Sequence, residues 1–214
     1  MKIKDSINLL TIVFSGSIMR KKGIEVMAVT RQQLLSCLEA DPVIAAISND
    51  RWEAALASPA QVLFYLSADL LTVAQRVAQA HEKGKLLLVH MDLAEGIGKD
   101  RTGIRYLAQC GVDGIISTRA QMVRLAKEQD LLTVQRFFAL DSKGMESIDD
   151  MLRSSTPHLM EIMPGVIGKA IARFSQGSIP VIAGGLIQTK REVTEAINSG
   201  AAAVSTGQQD LWYL

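Results

Sequence analysis

The fold is decided by one stretch, residues 179–207, which reads IPVIAGGLIQTKREVTEAINSGAAAVSTG. It predicts a short apolar strand, a glycine pair at Gly184 and Gly185, a helix, and a second short strand that ends in Ser205-Thr206-Gly207. Each strand therefore opens into a loop rich in Gly, Ser and Thr. Such loops suit a bound phosphate, because glycine lets the backbone approach an anion and the N–H groups at a helix start point towards it.

The segments before this stretch indicate how many strands the fold contains. In (β/α)8 barrels a phosphate site lies after the seventh and eighth strands. Six further apolar segments have the length and composition of buried parallel strands, at residues 43–47, 62–66, 86–90, 114–116, 132–138 and 159–162. The sequence therefore predicts an α/β fold in which eight parallel strands close into a TIM-like (β/α)8 barrel with seven or eight helices. The alternative is an open doubly wound sheet, but no G-x-G-x-x-G fingerprint follows the first strand.

Helical patterns separate the predicted strands. Helices are predicted at 49–57, 69–83, 100–110, 119–129, 142–153 (with Ser142 as its cap), 167–176 and 189–199, with a short final helix at 208–213. One more helix, at 30–40, precedes the first strand, begins at a Thr cap and could plug the bottom of the barrel. Residues 27–214 are thus predicted to form one barrel domain.

Composition limits the classes of function. The chain has 214 residues and a net charge of +1, and residues 1–26 hold five Lys or Arg against two acidic residues. Subtracting these from the totals of 23 and 22 leaves 18 basic and 20 acidic residues in the body, a net of −2. Any binding of nucleic acid must therefore use a local basic patch. Cys37 and Cys110 suit a reduced cytoplasmic protein and have no metal-binding spacing, so no metal site is predicted.

The first 26 residues are predicted to be an appendage outside the core and poorly ordered. Residues 7–14 are apolar and follow Lys2 and Lys4, as in a weak signal peptide, but the run is short and no A-x-A site follows. It is also too short to span a bilayer, so no membrane partner is expected. A start of translation at Met27 and a membrane-surface anchor are the alternatives.

Polar residues at the ends of several predicted strands would share the mouth of a barrel. They are His90 and Asp92 after the third strand, Arg136 in the fifth and Glu161 in the sixth. The planar guanidinium of Arg136 could clamp a phosphate or carboxylate, or pair with Glu161 or Asp92. Glu161 could accept hydrogen bonds from ligand hydroxyls or neutralise Arg136. His90 and Asp92 could form an acid/base pair or be structural.

The groups expected of a catalytic site are incomplete. No predicted strand end carries an inward lysine of the kind that a Schiff-base aldolase needs. We therefore predict no catalytic residues and no cofactor. The sequence describes a phosphate pocket with hydroxyl-binding groups better than it describes an enzyme.

Seven motifs in fixed order resemble the glycerol uptake operon antiterminator regulatory family. They are PVIAAI, HMDLAEGIGKD, DGIISTR, LLTVQRFFALDS, EIMPGVI, IPVIAGGLI and AVSTG, and they cover about Asp41 to Trp212. The resemblance implies a barrel-fold regulator that responds to glycerol 3-phosphate and binds the leader mRNA of glycerol-use genes. It also implies that Gly184, Gly185, Ser205 and Thr206 take the phosphate, and that Arg136, Glu161, His90 and Asp92 line the glycerol side.

Binding of RNA would need a basic surface on the barrel. Arg119, Arg124 and Lys127 lie on one predicted helix, and Arg124 and Lys127 share a face, but an ordinary solvated face gives the same pattern. A homodimer is possible, although no residue stripe marks an interface. Two other functions stay open: an isomerase-like enzyme acting on a small phosphorylated sugar or polyol, with Asp92, His90 or Glu161 as acid/base, and a barrel that works through a protein partner.

Overall fold

The computed structural model describes residues 18–21, 24–27, 29–139 and 141–214. Most of the predicted appendage, including the apolar run at 7–14, lies outside these ranges. Within it, β1 (Ile18–Lys21) and β2 (Ile24–Met27) pair as an antiparallel hairpin, which the sequence analysis did not predict.

Eight parallel strands form the closed barrel that the sequence predicts. They are β3 (Val43–Ile47), β4 (Val62–Tyr65), β5 (Leu86–His90), β6 (Gly114–Ser117), β7 (Leu132–Phe138), β8 (Leu159–Met163), β9 (Val181–Gly184) and β10 (Ala203–Thr206). Each strand pairs with its neighbours in chain order, and β10 closes the barrel by pairing in parallel with β3. All eight predicted strands are therefore confirmed.

The helices alternate with the strands as predicted. They are α1 (Arg31–Ala40), α2 (Trp52–Ala57), α3 (Val73–Glu82), α4 (Arg101–Cys110), α5 (Ala120–Lys127), α6 (Ser142–Ser155), α7 (Gly168–Phe174) and α8 (Lys190–Asn198). Three predicted segments differ in detail. The helix predicted at 69–83 begins at Val73, Asn49–Arg51 is a 3-10 turn ahead of α2, and the final helix, Gln209–Tyr213, is also 3-10. In the ranges given above, no helix is long and apolar enough to cross a membrane.

Side-chain caps set the starts of several helices. Thr30 and Gln33 form a capping box at α1, and Thr189 and Glu192 form another at α8. The prediction that Ser142 caps α6 is wrong, because the N-cap is Asp141, whose carboxylate accepts a hydrogen bond of 2.7 Å from the N–H of Gly144. A carboxylate at this position also offsets the positive end of the helix dipole.

The barrel interior is filled by apolar side chains from all eight strands, and α1 closes its lower end. Leu34 and Leu38 of α1 are buried in the same cluster as Ile44, Phe64, Leu88, Ile116, Val134, Leu159, Ile182 and Ala203. The predicted plug is thus confirmed. The alternate strand residues point outwards and pack beneath the helices in a second cluster that includes Ile47, Leu63 and Val89. Because successive side chains of a strand point to opposite faces, each strand contributes residues to both clusters.

A hydrogen bond between His81 and Asp113 joins α3 to the start of β6. From this pair we expect the free energy of unfolding to depend on pH. His81 Nε2 lies 2.9 Å from Asp113 Oδ2, and this hydrogen bond raises the pKa of His81 despite the opposing effect of burial. A raised folded pKa means that the stabilisation is complete below the usual value of about 6.5 and is lost as pH rises through the folded value.

We therefore expect His81→Gln to be less stable than the wild type at pH 5.5, with the gap narrowing by pH 8.5. Because the His81 side chain is 36% exposed, the gap should not exceed about 1 kcal/mol, or about 2–4 °C in Tm. Thermal unfolding of both proteins across this pH range measures it. The other described histidines are present in both proteins, so their contributions to the pH dependence cancel in the comparison. A difference in stability that stays constant with pH would refute the role of the His81–Asp113 pair.

Candidate functional site

A polar layer lies at the carboxyl ends of the barrel strands, directly above the apolar interior. On β5, β7, β8 and β10, the last inward apolar residue is followed two positions later by His90, Arg136, Glu161 and Ser205 respectively. A spacing of two keeps each polar side chain on the inward face of its strand. The barrel mouth is therefore lined by charged and hydroxyl groups, as the sequence predicts for this end of the fold.

Arg136 and Glu161 form a buried ion pair at the base of this layer. They are direct neighbours across β7 and β8, and Arg136 Nε donates a hydrogen bond of 2.6 Å to Glu161 Oε2. Ser205 donates to the other carboxylate oxygen at 2.5 Å. Of the two partners that the sequence left open for Arg136, the structure pairs it with Glu161 and not with Asp92. Among the described residues, none accepts a hydrogen bond from Nη1 or Nη2 of Arg136, so these donors are available to a ligand.

Gly184 makes room for this arrangement. A Cβ atom at Gly184 would lie 2.8 Å from both Ser205 Oγ and Glu161 Cδ, closer than real contacts allow. Any side chain there would separate Ser205 from Glu161. Gly184 was predicted to touch phosphate, but its position indicates that it shapes the floor beneath the pocket.

A cavity of about 420 Å³ opens above the ion pair. Six of the predicted site residues line it: Arg136, Glu161, Gly185, Ser205, Thr206 and Gly207. The loop that follows β9 contributes one wall, where Gly185 and Leu186 take left-handed backbone conformations with φ of 74° and 61°. A non-glycine residue in this region stores strain, and such strain is concentrated at functional sites.

Thr206 joins the two loops that were predicted to bind phosphate. Its side chain donates a hydrogen bond of 2.8 Å to the carbonyl of Ile187, in the loop after β9. The indole N–H of Trp212 donates to the Thr206 carbonyl at 2.9 Å. The Thr206 hydroxyl is thus occupied in holding the loops together, and Ser205 is the hydroxyl that faces the barrel interior.

His90 is buried inside the barrel near Arg136 and Glu161, but it does not line the cavity. Its Nδ1 atom is buried and has no hydrogen-bond partner among the residues that the structure describes. Burial, and then the positive charge of Arg136, lower the pKa of His90 despite the opposing effect of Asp92 and Glu161. Its imidazole is therefore neutral near pH 7 and has an unused nitrogen.

Asp92 is occupied by other contacts. It accepts hydrogen bonds from the Ser117 hydroxyl at 2.8 Å and from the Thr118 N–H at 2.7 Å and hydroxyl at 2.9 Å. Burial would raise the Asp92 pKa, but these bonds outweigh it and the pKa is lowered. Asp92 therefore ties the loop after β5 to the loop after β6, and no hydrogen bond joins it to His90 in the described part of the chain.

The predicted RNA-binding residues lie on or beside α5 as expected, but two of the three have partners. Arg119 Nε faces Asp92 at 3.7 Å, and Lys127 Nζ donates to the carbonyl and hydroxyl of Thr156 at 2.7 and 2.9 Å. The latter bonds cap the end of α6. Arg124 is exposed and forms no ion pair with any described residue. Of these three residues, Arg124 alone therefore has no ion-pair partner among the residues that the structure describes.

Arg51 is a pocket residue that the sequence analysis missed. It follows the first barrel strand and lines the same cavity as Arg136. The available signal was its position just after the first predicted strand, in the segment 49–57 that the sequence analysis assigned to a helix. Among the described residues, no group of three His, Cys, Asp or Glu side chains could hold a metal ion.

Fold and site together define a (β/α)8-barrel protein with a polar, arginine-lined pocket at the carboxyl ends of its strands. Residues 43–212 match the family described as the glycerol-3-phosphate responsive antiterminator, and the chain belongs to this family.

Individual relatives agree with this membership. The chain is 33% identical over 184 residues to the uncharacterized protein YgcP of Escherichia coli K12, covering 85% of this chain and 96% of that protein. Its structure resembles the crystal structure of the glycerol uptake operon antiterminator regulatory protein from Listeria monocytogenes, with a TM-score of 0.76 and 34% identity over 80% of this chain and 95% of that one. A glycerol uptake operon antiterminator-related protein from Thermotoga maritima gives a TM-score of 0.72 and 30% identity, over 79% and 96% of the two chains.

Proposed function

We propose that this protein senses glycerol 3-phosphate in its barrel mouth and binds the leader mRNA of glycerol-metabolism genes in response. One observation supports the binding of this ligand. The Nη atoms of Arg136 have no acceptor among the described residues, and they lie at the base of a cavity that also borders the loops after β9 and β10. The family description and the name of the Listeria relative support the regulatory half.

The cavity suits a small phosphorylated polyol. Its volume of about 420 Å³ lies in the range of small-molecule sites. The backbone N–H groups at Gly185 and Gly207 would receive the phosphate, and the Arg136–Glu161 pair, which Ser205 supports by donating to Glu161, would receive the hydroxyl groups. Each Glu161 oxygen retains a lone pair beside its existing hydrogen bond, so it can accept a ligand O–H.

Ligand binding would act on the RNA site by changing which loop arrangement is preferred. The loops after β9 and β10 are joined by the Thr206 hydroxyl, so a phosphate seated between them would order both. A ligand shifts such an equilibrium only by the difference in its affinity for the two states. We assign the RNA contact to Arg119, Arg124 and Lys127. The leader RNA would have to displace Asp92 from Arg119 and Thr156 from Lys127.

The test is RNA affinity with and without ligand. Full-length protein is titrated into a labelled leader RNA in the presence of saturating glycerol 3-phosphate, glycerol or neither, at two salt concentrations. Glycerol 3-phosphate should tighten binding about 5- to 150-fold, the usual range of coupling between sites, and glycerol should not. Arg136→Met combined with Glu161→Leu, which leaves no buried charge unpaired, should keep the basal RNA affinity and lose the response. Unchanged RNA affinity at saturating ligand would refute the sensor mechanism.

An isomerase-like enzyme is the second candidate, and the unpartnered Nδ1 of neutral His90 favours it. A general base must reach the proton that it removes, and His90 would need a ligand that extends below the cavity. Turnover of phosphorylated sugars that disappears in His90→Gln would support this function. Turnover that His90→Gln leaves unchanged would exclude His90 as the base.

A further inference from the structure

Arg51 reaches across the point where the barrel closes. It belongs to the turn Asn49–Arg51 between β3 and α2, and its Nη1 donates a hydrogen bond to the carbonyl of Gly207, just after β10. The strands β3 and β10 are the first and last of the barrel and pair with each other. The guanidinium group therefore lies over one of the two loops that the proposed function assigns to phosphate.

Gly207 allows this approach. A Cβ atom on Gly207 would lie 3.1 Å from Arg51 Nη1 and 3.4 Å from the carbonyl oxygen of Ala46. The first distance is tighter than ordinary packing, so a side chain at Gly207 would push the guanidinium away. The absence of a side chain here serves the position of Arg51 as well as access to the backbone.

The present partners of Arg51 leave most of its donors available. Its Nε faces Asp50 at 3.6 Å, but the two side chains are 42% and 71% exposed, so the pair is weak. A guanidinium has five N–H donors in a planar fork, which matches two oxygens of a phosphate. An incoming phosphate can therefore bind Arg51 without breaking a buried contact.

The charge of the pocket also requires a second cation. Glu161 offsets the charge of Arg136, so the inner end of the cavity carries no net positive charge. A phosphate monoester carries about −1.5 to −2 at pH 7. Apart from Arg136, Arg51 is the one cationic residue among the described residues that line the cavity, and the exposed Asp50 beside it is the second anion of the lining.

We propose that Arg51 is the phosphate-recognising residue of this pocket and binds the dianion of a small phosphate monoester from the β3 side of the barrel closure. This inference rests on the proposed function in that a phosphorylated ligand occupies the cavity. It adds Arg51 as the residue that recognises the phosphate charge, beside the backbone at Gly185 and Gly207, and keeps Arg136 with the hydroxyl groups.

The test is calorimetric titration of full-length wild type, Arg51→Gln, Arg51→Lys and Arg153→Gln with glycerol 3-phosphate, inorganic phosphate and glycerol. Arg153 is the matched control, because it is an exposed arginine paired with Asp150 on α6, away from the cavity. We expect Arg51→Gln to weaken glycerol 3-phosphate binding about 10- to 100-fold, Arg51→Lys to recover part of the loss, and Arg153→Gln to bind as the wild type.

A change at Asp50 is expected to alter the affinity for glycerol 3-phosphate in the opposite direction to Arg51→Gln. Asp50→Asn removes the anion that faces Arg51 and should strengthen binding of glycerol 3-phosphate by a few-fold. A merely structural role for Arg51 would not produce this gain. Thermal unfolding without ligand checks that each variant is folded.

The outcomes separate the two proposals. If wild type binds glycerol 3-phosphate and Arg51→Gln binds it equally, the role of Arg51 is refuted and the proposed function stands. If wild type binds inorganic phosphate but not glycerol 3-phosphate, and Arg51→Gln loses the phosphate, the ligand assignment fails and Arg51 is confirmed. If wild type binds neither anion, both proposals fall.

Discussion

Gly184→Ala is expected to lower the free energy of unfolding by about 3 kcal/mol, which is about 6–12 °C in Tm for a domain of this size. The added methyl group would meet Ser205 and Glu161 within 2.8 Å, and both must move. Overpacking a filled interior costs about 1–3 kcal/mol, and displacing the Glu161 carboxylate also weakens its bond with Arg136. Because the floor of the cavity shifts, binding of glycerol 3-phosphate should fall at least about tenfold.

Gly144→Ala is the matched control for this change. Gly144 lies in α6, where alanine is a better helix former by up to about 1 kcal/mol, and its nearest neighbour, Asp141 Oδ1, would be 3.3 Å from the new atom. Thermal unfolding and ligand titration of both variants make the comparison. Equal stability and equal ligand affinity in Gly184→Ala and wild type would show that the Ser205–Glu161 contact does not depend on this glycine.

Glu161→Ala is expected to have the largest effect on stability. The Glu161 and Arg136 side chains are 1% and 11% exposed, and removing one member of a buried ion pair costs about 3–5 kcal/mol because the other charge stays buried. This corresponds to about 6–20 °C in Tm. Asp149→Ala is the control, since its pair with Arg173 is 41% exposed on both sides and should contribute at most about 1 kcal/mol.

A double variant separates the charge effect from loss of packing. Arg136→Met combined with Glu161→Leu replaces the pair by apolar side chains, a change that is often neutral or stabilising in proteins. We expect it to recover most of the stability that Glu161→Ala loses and to have no response to glycerol 3-phosphate. If the double variant is as unstable as Glu161→Ala, the lost stability comes from packing and not from an unpaired charge. If the double variant still responds to glycerol 3-phosphate, the Arg136–Glu161 pair does not bind the ligand.

The barrel could be predicted from the sequence because its signals are local. Apolar runs such as Val43–Ile47 and Leu86–His90 match the observed strands residue for residue. The predicted cap of α6 was displaced by one residue because Asp141 and Ser142 are both good capping residues, and only the backbone path decides between them. The hairpin of β1 and β2 lacked a comparable local signal, since its residues include Arg20 and Glu25.

The candidate site was predicted in part, for reasons that the side-chain contacts explain. Spacing along a strand places Arg136 and Glu161 on the inward face, so their location could be predicted, but their pairing depends on the register between β7 and β8. Asp92 is bound by Ser117 and Thr118, which follow another strand, and Lys127 by Thr156. Such contacts between distant segments have no signature in a single stretch of sequence. A ligand at Asp92 or Lys127 would have to compete with these contacts.

The closure of the barrel by β10 and β3 has a consequence for biosynthesis. The first barrel strand starts at Val43, and its partner starts at Ala203, close to the chain end, where Trp212 packs beneath the last loop. A ribosome must therefore synthesise every residue from β3 to β10 before each strand of the barrel has a neighbour on both sides. Until then, β3 presents an open edge, which is the template for aggregation between nascent chains. The synthesis of β10 thus determines when this edge of the nascent chain is covered.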